Sequence, residues 1–192
     1  MILNIRGTNG TGKSHLVRQL MADLTREQGE PFEPRHVAGR KRPLYYSLSR
    51  GQIHPDVVVL GHYETDCGGC DTISRIDDVF TLARRFSEQG HDVIMEGMIL
   101  SGEVKRSQSL VEDKVPFKIF HLDIPVQECI DSVNQRRWRR DPSKPPVKEG
   151  NIVAKHRHAA RALERLAEVE ADSISGDRDT ILQALRTELC LS

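Results

Sequence analysis

Eight residues near the start, Gly7-Thr8-Asn9-Gly10-Thr11-Gly12-Lys13-Ser14, leave this chain few folds to choose from. They match the spacing G-x-x-x-x-G-K-[ST], a loop that wraps phosphate when a strand precedes it and a helix follows. Met1 to Arg6 is a short apolar run that reads as a buried strand. Leu16, Val17, Leu20, Met21 and Leu24 then recur at helical spacing. Glycine permits backbone angles and a close approach that a side chain would block. The loop amides and the helix N-terminus aim donors and positive potential at an anion. Lys13 is expected to reach the β- and γ-phosphates and the Ser14 hydroxyl to hold Mg²⁺. His15 is grouped with the loop as a nucleotide contact. The alternative, a chance glycine turn, sits poorly with the flanking strand and helix.

The 192 residues suit a single domain over 1–192. Lys plus Arg and Asp plus Glu number 28 each, so the formal charge is zero. A protein held on nucleic acid mainly by charge is usually basic, so global charge gives a nucleic-acid partner no support, although local patches can. No apolar run approaches the roughly 20 residues of a membrane span. Neither a signal peptide nor a membrane anchor is expected, and the cytoplasm is the expected location. Four cysteines do not make a disulfide framework in a chain of this size.

Further along, segments that read as strands alternate with segments that read as helices. The strands are Val57–Leu60, Val93–Met95, Phe117–Leu122 and Ser173–Ser175, after the first at Ile2–Ile5. Helices are expected from about Ile73 to Phe86, Ser101 to Asp113, Pro125 onward, Asn151 to Ala171 and Asp177 to Leu189. This alternation implies an α/β fold, a parallel sheet with helices on both faces. Ligands then gather at the carboxyl ends of the strands. Residues 36–50 read as an inserted basic hairpin, and 136–150 as a lid.

Several residues at those strand ends carry chemistry. Glu96 closes an apolar strand where a carboxylate supports Mg²⁺, directly or through water, unless it is only a surface acid. Arg136 to Arg140 precede a proline-rich loop. Mobile arginines stabilise the charge that spreads over a moving phosphoryl group. Arg136 and Arg140 share a helical face and are the chosen pair; a solvated basic helix end is the plainer reading. The Glu64–Thr72 loop carries Asp66 and Asp71. Asp71 is the first choice for the carboxylate that orients an acceptor hydroxyl and takes its proton, and Asp66 the second. Asp71 or Thr72 capping the next helix remains an equal reading. Cys67-Gly-Gly-Cys70 fits a glycine turn better than a zinc half-site or redox pair, since no second such motif follows.

Together these pieces resemble the small P-loop kinases: nucleotide kinases, shikimate kinase and polynucleotide kinase. The resemblance spans the chain and rests on the Walker A loop at Gly7–Ser14, the acid at Glu96 and the arginines after Val133. It implies five parallel strands in the order 2-3-1-4-5, with Val57–Leu60 at one edge and Ser173–Ser175 at the other. It also implies ATP as donor. Gly61-His-Tyr-Glu-Thr-Asp-Cys-Gly-Gly-Cys-Asp-Thr72 is similar to a segment of the phage kinases that modify DNA bases. Those enzymes phosphorylate the hydroxymethyl group of 5-hydroxymethyluracil within DNA, an early step of base hypermodification. On that reading Arg40, Lys41 and Arg42 track phosphates and Tyr45 and Tyr46 stack on a base flipped from the duplex. A merely solvated hairpin is the alternative. Rival functions are a kinase of a free nucleoside, nucleotide or small metabolite, and a nucleotide-dependent switch.

Overall fold

Successive residues of a strand face opposite sides of a sheet, and the apolar runs of this chain divide accordingly. The computed structural model describes residues 1–65, 68–96 and 101–191. Its strands are β1 (Ile2–Arg6), β2 (Glu33–Arg35), β3 (Tyr45–Leu48), β4 (Val57–Leu60), β5 (Asp92–Glu96), β6 (Phe117–Leu122) and β7 (Asp172–Gly176). The helices are α1 (Lys13–Gln28), α2 (Ile76–Glu88), α3 (Ser101–Glu112), α4 (Val126–Arg140), α5 (Glu149–Ala167) and α6 (Arg178–Glu188), with a 3₁₀ turn at Cys70–Thr72.

The described strands form one sheet in the order β2-β3-β4-β5-β1-β6-β7. On one face Leu3, Ile5, Val57, Val59, Ile94, Phe120 and Leu122 pack under α1, α4 and α6. On the other, Ile2, Val58, Leu60, Val93, Met95 and Ile119 pack under α2, α3 and α5. In β4 the alternation is strict: Val57 and Val59 belong to one core, Val58 and Leu60 to the other.

The count and order correct the five-strand expectation. Among the described residues there are seven strands, and β4 is interior rather than an edge. The contiguous run β4-β5-β1-β6-β7 is parallel, while β3 pairs antiparallel with β4, and β2 with β3. The basic excursion therefore returns as two strands of the same sheet. The cause is visible in its residues: Tyr46 and Leu48 are buried, so β3 adds core while covering an edge that β4 would otherwise expose. Pro34 pairs with Tyr46 in the outer strand β2, where a missing N–H is tolerated.

Helix ends follow local chemistry. Gly29 closes α1 in the left-handed region, φ 74°, with its N–H on the Thr25 carbonyl. The Asp177 carboxylate accepts from the Thr180 N–H at 2.8 Å and starts α6. Among the described residues no helix is long and apolar enough to cross a membrane.

Parallel strands all finish at one rim of the sheet. The Gly7–Ser14 loop follows β1, the Gly61–Thr72 loop follows β4, and Glu96 ends β5. Because β3 runs the other way, its first residue pairs with the last of β4, Tyr45 with Leu60. The basic loop before β3 is thus delivered to the same rim. Leu44 ties it down, donating to Arg35 O and accepting from Gly61 N, both at 2.8 Å.

Candidate active site

The glycines of the Gly7–Ser14 loop are needed for close approach. Gly10 has φ 92°, and a Cβ there would lie 2.2 Å from the Cys129 carbonyl oxygen at the start of α4. Thr8 and Thr11 are buried, and the Thr11 hydroxyl donates to Thr8 O at 3.0 Å, fixing the curl. Lys13 Nζ donates to the carbonyls of Gly7 at 2.8 Å and Thr8 at 3.0 Å. Burial lowers the Lys13 pKa, against the opposing pull of Glu96 and Asp71. The ammonium therefore rests on its own loop.

Ser14 Oγ lies 2.8 Å and 2.9 Å from the two oxygens of Glu96, joining the head of α1 to the end of β5. Burial pushes the Glu96 carboxyl up to about 7, while Lys13 and the Ser14 hydroxyl pull it down and Asp71 pushes it further up. The glycine pair explains the contact. A Cβ on Gly69 would stand 1.8 Å from Glu96 Oε1, and one on Gly68 2.0 Å from the His62 carbonyl. Only a glycine turn lets this loop lie against the buried acid.

The same turn holds Asp71. The Gly69 carbonyl accepts from the Thr72 N–H at 3.0 Å and from the Thr72 hydroxyl at 2.7 Å. The helical reading of this stretch is corrected: α2 begins at Ile76 with Arg75 before it, so neither Asp71 nor Thr72 caps it. Ile73 is extended, φ −95° and ψ 124°, because the 3₁₀ turn ends there.

A cleft of about 690 Å³ opens between these parts. Asn9, Gly10, Gly12, Lys13, Ser14, His15, Arg42, Asp71, Glu96 and Arg136 line it, all singled out in the sequence. Gly7, Thr8 and Thr11 do not line it. Arg140 is exposed and does not line the cleft; Arg139 does, with Ser132, Gln135 and Arg136. Residues three and four apart are both helical neighbours, so spacing alone could not choose between Arg139 and Arg140. Asp66 and Cys67 lie outside the described residues. Cys70 is buried, its thiol 3.9 Å from the Leu60 carbonyl and pushed well up by burial.

The basic loop divides. Arg40 Nη2 donates to the Thr72 carbonyl at 2.8 Å and Arg40 Nε to Arg42 O at 3.0 Å. Lys41 is exposed and does not line the cleft. Tyr45 and Tyr46 are corrected as base-stacking residues. Tyr45 packs on Phe86 with ring centroids 4.8 Å apart, and Tyr46 is buried against Tyr63, whose N–H donates to the Tyr46 hydroxyl at 3.3 Å. Aromatic residues in a strand serve a core as readily as a base, and here the core takes both.

Three features escaped the sequence reading. Arg18 reaches from the second turn of α1 into the cleft and donates to Thr65 O at 3.0 Å. Arg178 Nε donates to Thr11 O at 2.9 Å, bracing the Gly7–Ser14 loop from α6. Arg6 and Glu103 form a buried pair at 3.0 Å beside Ser107. Burial lifts the Glu103 carboxyl and Arg6 holds it back. A charged residue closing an apolar strand needs such a partner, and Arg6 was the available signal. Among the described residues no three His, Cys, Asp or Glu side chains group as a metal-ligand set.

No family model matches the chain. It is 40% identical over 185 residues to a 5-hmdU DNA kinase of Pseudomonas phage PaMx11, covering 96% of this chain and 95% of that protein. A 5-hmdU DNA kinase of Delftia phage PhiW-14 is 30% identical over 201 residues, 95% of this chain and 70% of that one. A third, of Pseudomonas phage M6, is 26% identical over 172 residues, 85% and 83% of the two chains. Among solved structures, a deoxyadenosine kinase from M. mycoides aligns at TM-score 0.46 and 13% identity over 99% of this chain and 98% of that one, a likeness too slight to argue from. At 40% identity along nearly the full length of both proteins, this chain belongs to the 5-hmdU DNA kinase family.

Proposed function

We propose that the protein transfers the γ-phosphate of ATP to the hydroxymethyl group of 5-hydroxymethyluracil in phage DNA, within the host cytoplasm. One observation carries the reading: Asp71 shares a single cleft with Lys13, Ser14 and Glu96. Family membership supports the acceptor, since the relatives are named for that DNA base. Lys13 leaves the Gly7 and Thr8 carbonyls for the β- and γ-phosphates. Asp71 orients the hydroxymethyl oxygen and takes its proton. That oxygen bonds to the γ-phosphorus, the bond from γ-phosphorus to the ADP oxygen breaks, and the proton passes from Asp71 to solvent. Arg136 and Arg139 of α4 stabilise the charge on the moving group. Ser14 and Glu96 suit Mg²⁺, a hard cation that takes oxygen ligands and shares them with substrate phosphates. Their oxygens converge within 2.9 Å, and the buried Glu96 carboxylate gains from a neighbouring cation. Bound there, Mg²⁺ would neutralise charge developing on the β- and γ-oxygens.

The test is incubation with γ-labelled ATP and three acceptors: DNA containing 5-hydroxymethyluracil, the same DNA with thymine, and the free nucleoside. Label on the modified DNA is expected. Label on the free nucleoside alone would reject the DNA-level reading.

A further inference from the structure

We infer that Arg18 and Arg42 hold the phosphodiester on the 5′ side of the acceptor base, and that Arg40 positions the Arg42 loop for it. The inference rests on the kinase reading above and names what that site requires of its acceptor. In an anti pyrimidine nucleotide the C5–C6 edge faces the nucleotide's own 5′-phosphate. A substituent on C5 that reaches Asp71 therefore brings a phosphodiester into the same part of the cleft.

The wall there is built for one. Arg42 and Arg18 line the cleft together with Asp71 and Thr72. The Arg42 side chain is exposed and makes no hydrogen bond or ion pair among the described residues. Arg18 has one donor on Thr65 O, and its planar guanidinium carries five N–H groups. Arg40 fastens the arrangement: its Nη2 grips the Thr72 carbonyl, next to Asp71, while its Nε holds the Arg42 carbonyl. The segment with the acid and the segment with the cation are thus fixed to each other. The triphosphate has its own cations, Lys13 from the loop and Arg136 and Arg139 from α4. Arg18 and Arg42 come instead from α1 and from the loop before β3, on the β4 side of the sheet. In a chain whose formal charge is zero, two cations in the cleft beyond those of the donor site favour an acceptor that brings its own anion. A base inside a strand does so and a free nucleoside does not.

The experiment pairs a change in the protein with a change in the DNA. Oligonucleotides carry one 5-hydroxymethyluracil, with either a normal phosphodiester or a neutral methylphosphonate on its 5′ side. With the wild-type enzyme, neutralising that linkage should lower kcat/KM roughly tenfold, mainly through KM, the scale of a charge-assisted contact. The Arg18→Gln/Arg42→Gln variant should show a similar loss on the normal DNA and little further loss on the neutral one. Its kcat/KM should also depend less on salt, the log–log slope shrinking by about 1. Equal fractional losses in both enzymes would overturn the assignment. So would a wild-type rate indifferent to the methylphosphonate, which needs no variant at all. If the wild type transfers no phosphate to the normal oligonucleotide, the kinase reading itself fails and the clamp falls with it.

Discussion

Opposing fields meet at Glu96. Burial raises its pKa from 4.5 to about 7, against the pull of Lys13 and the Ser14 hydroxyl. The folded protein therefore binds that proton more tightly than the unfolded chain does. The resulting stability is complete below the ordinary carboxylate value and is lost as pH rises through about 7. In chelator and without nucleotide, the melting temperature should fall across that window, with a loss on the order of 3 kcal/mol for this one group. Glu96→Gln should flatten the profile; an unchanged slope would show that other groups carry it. At Lys13 the expectation is about binding and rate. Lys13→Ala removes the cation that the loop presents, and phosphate transfer should drop at least about 100-fold. Isothermal titration with ATP, alongside single-turnover assays, would separate lost affinity from lost chemistry.

Among the elements, the glycine turn and α1 are the most exposed to single changes. Gly69→Ala places a Cβ 1.8 Å from Glu96 Oε1 at φ 79°, so the loop and the acid must part. Transfer should fall steeply, while Gly29→Ala, with nothing within 4 Å, tests backbone strain alone. Leu20 is fully buried between α1 and the sheet, and Leu20→Ala should cost about 2–5 kcal/mol in denaturant unfolding. α1 was legible in the sequence because its period, its glycine start and its glycine stop all agree. The turn at Cys70–Thr72 was not. Ile73, Ile76, Phe80 and Ala83 read as one helical stripe, yet Ile73 is extended after the tighter turn and the helix starts only at Ile76. The hairpin over 36–50 was read in advance, but not that its strand β3 buries Tyr46 and Leu48 and joins the main sheet.

Taken whole, the molecule gathers at one rim groups that the sequence scatters. The donor side could be read in advance because its parts are contiguous, from Gly7 to Ser14, with Glu96 marked by its place at a strand end. On the acceptor side Asp71 and Arg42 were named in advance and Arg18 was not, since it meets them only through the antiparallel turn of β3 and the loop after β4. Arg6 and Glu103 illustrate the same limit, a buried pair whose members lie far apart along the chain. The account's central claim is that this rim joins a phosphate cradle to a proton acceptor in one cleft. The most direct measurement is single-turnover transfer from ATP to DNA containing 5-hydroxymethyluracil by the wild type and Asp71→Asn, with ATP affinity measured on both. The account predicts retained affinity and a transfer rate lower by roughly 10²–10⁴-fold in the variant. A variant that transfers phosphate as fast as the wild type would contradict it.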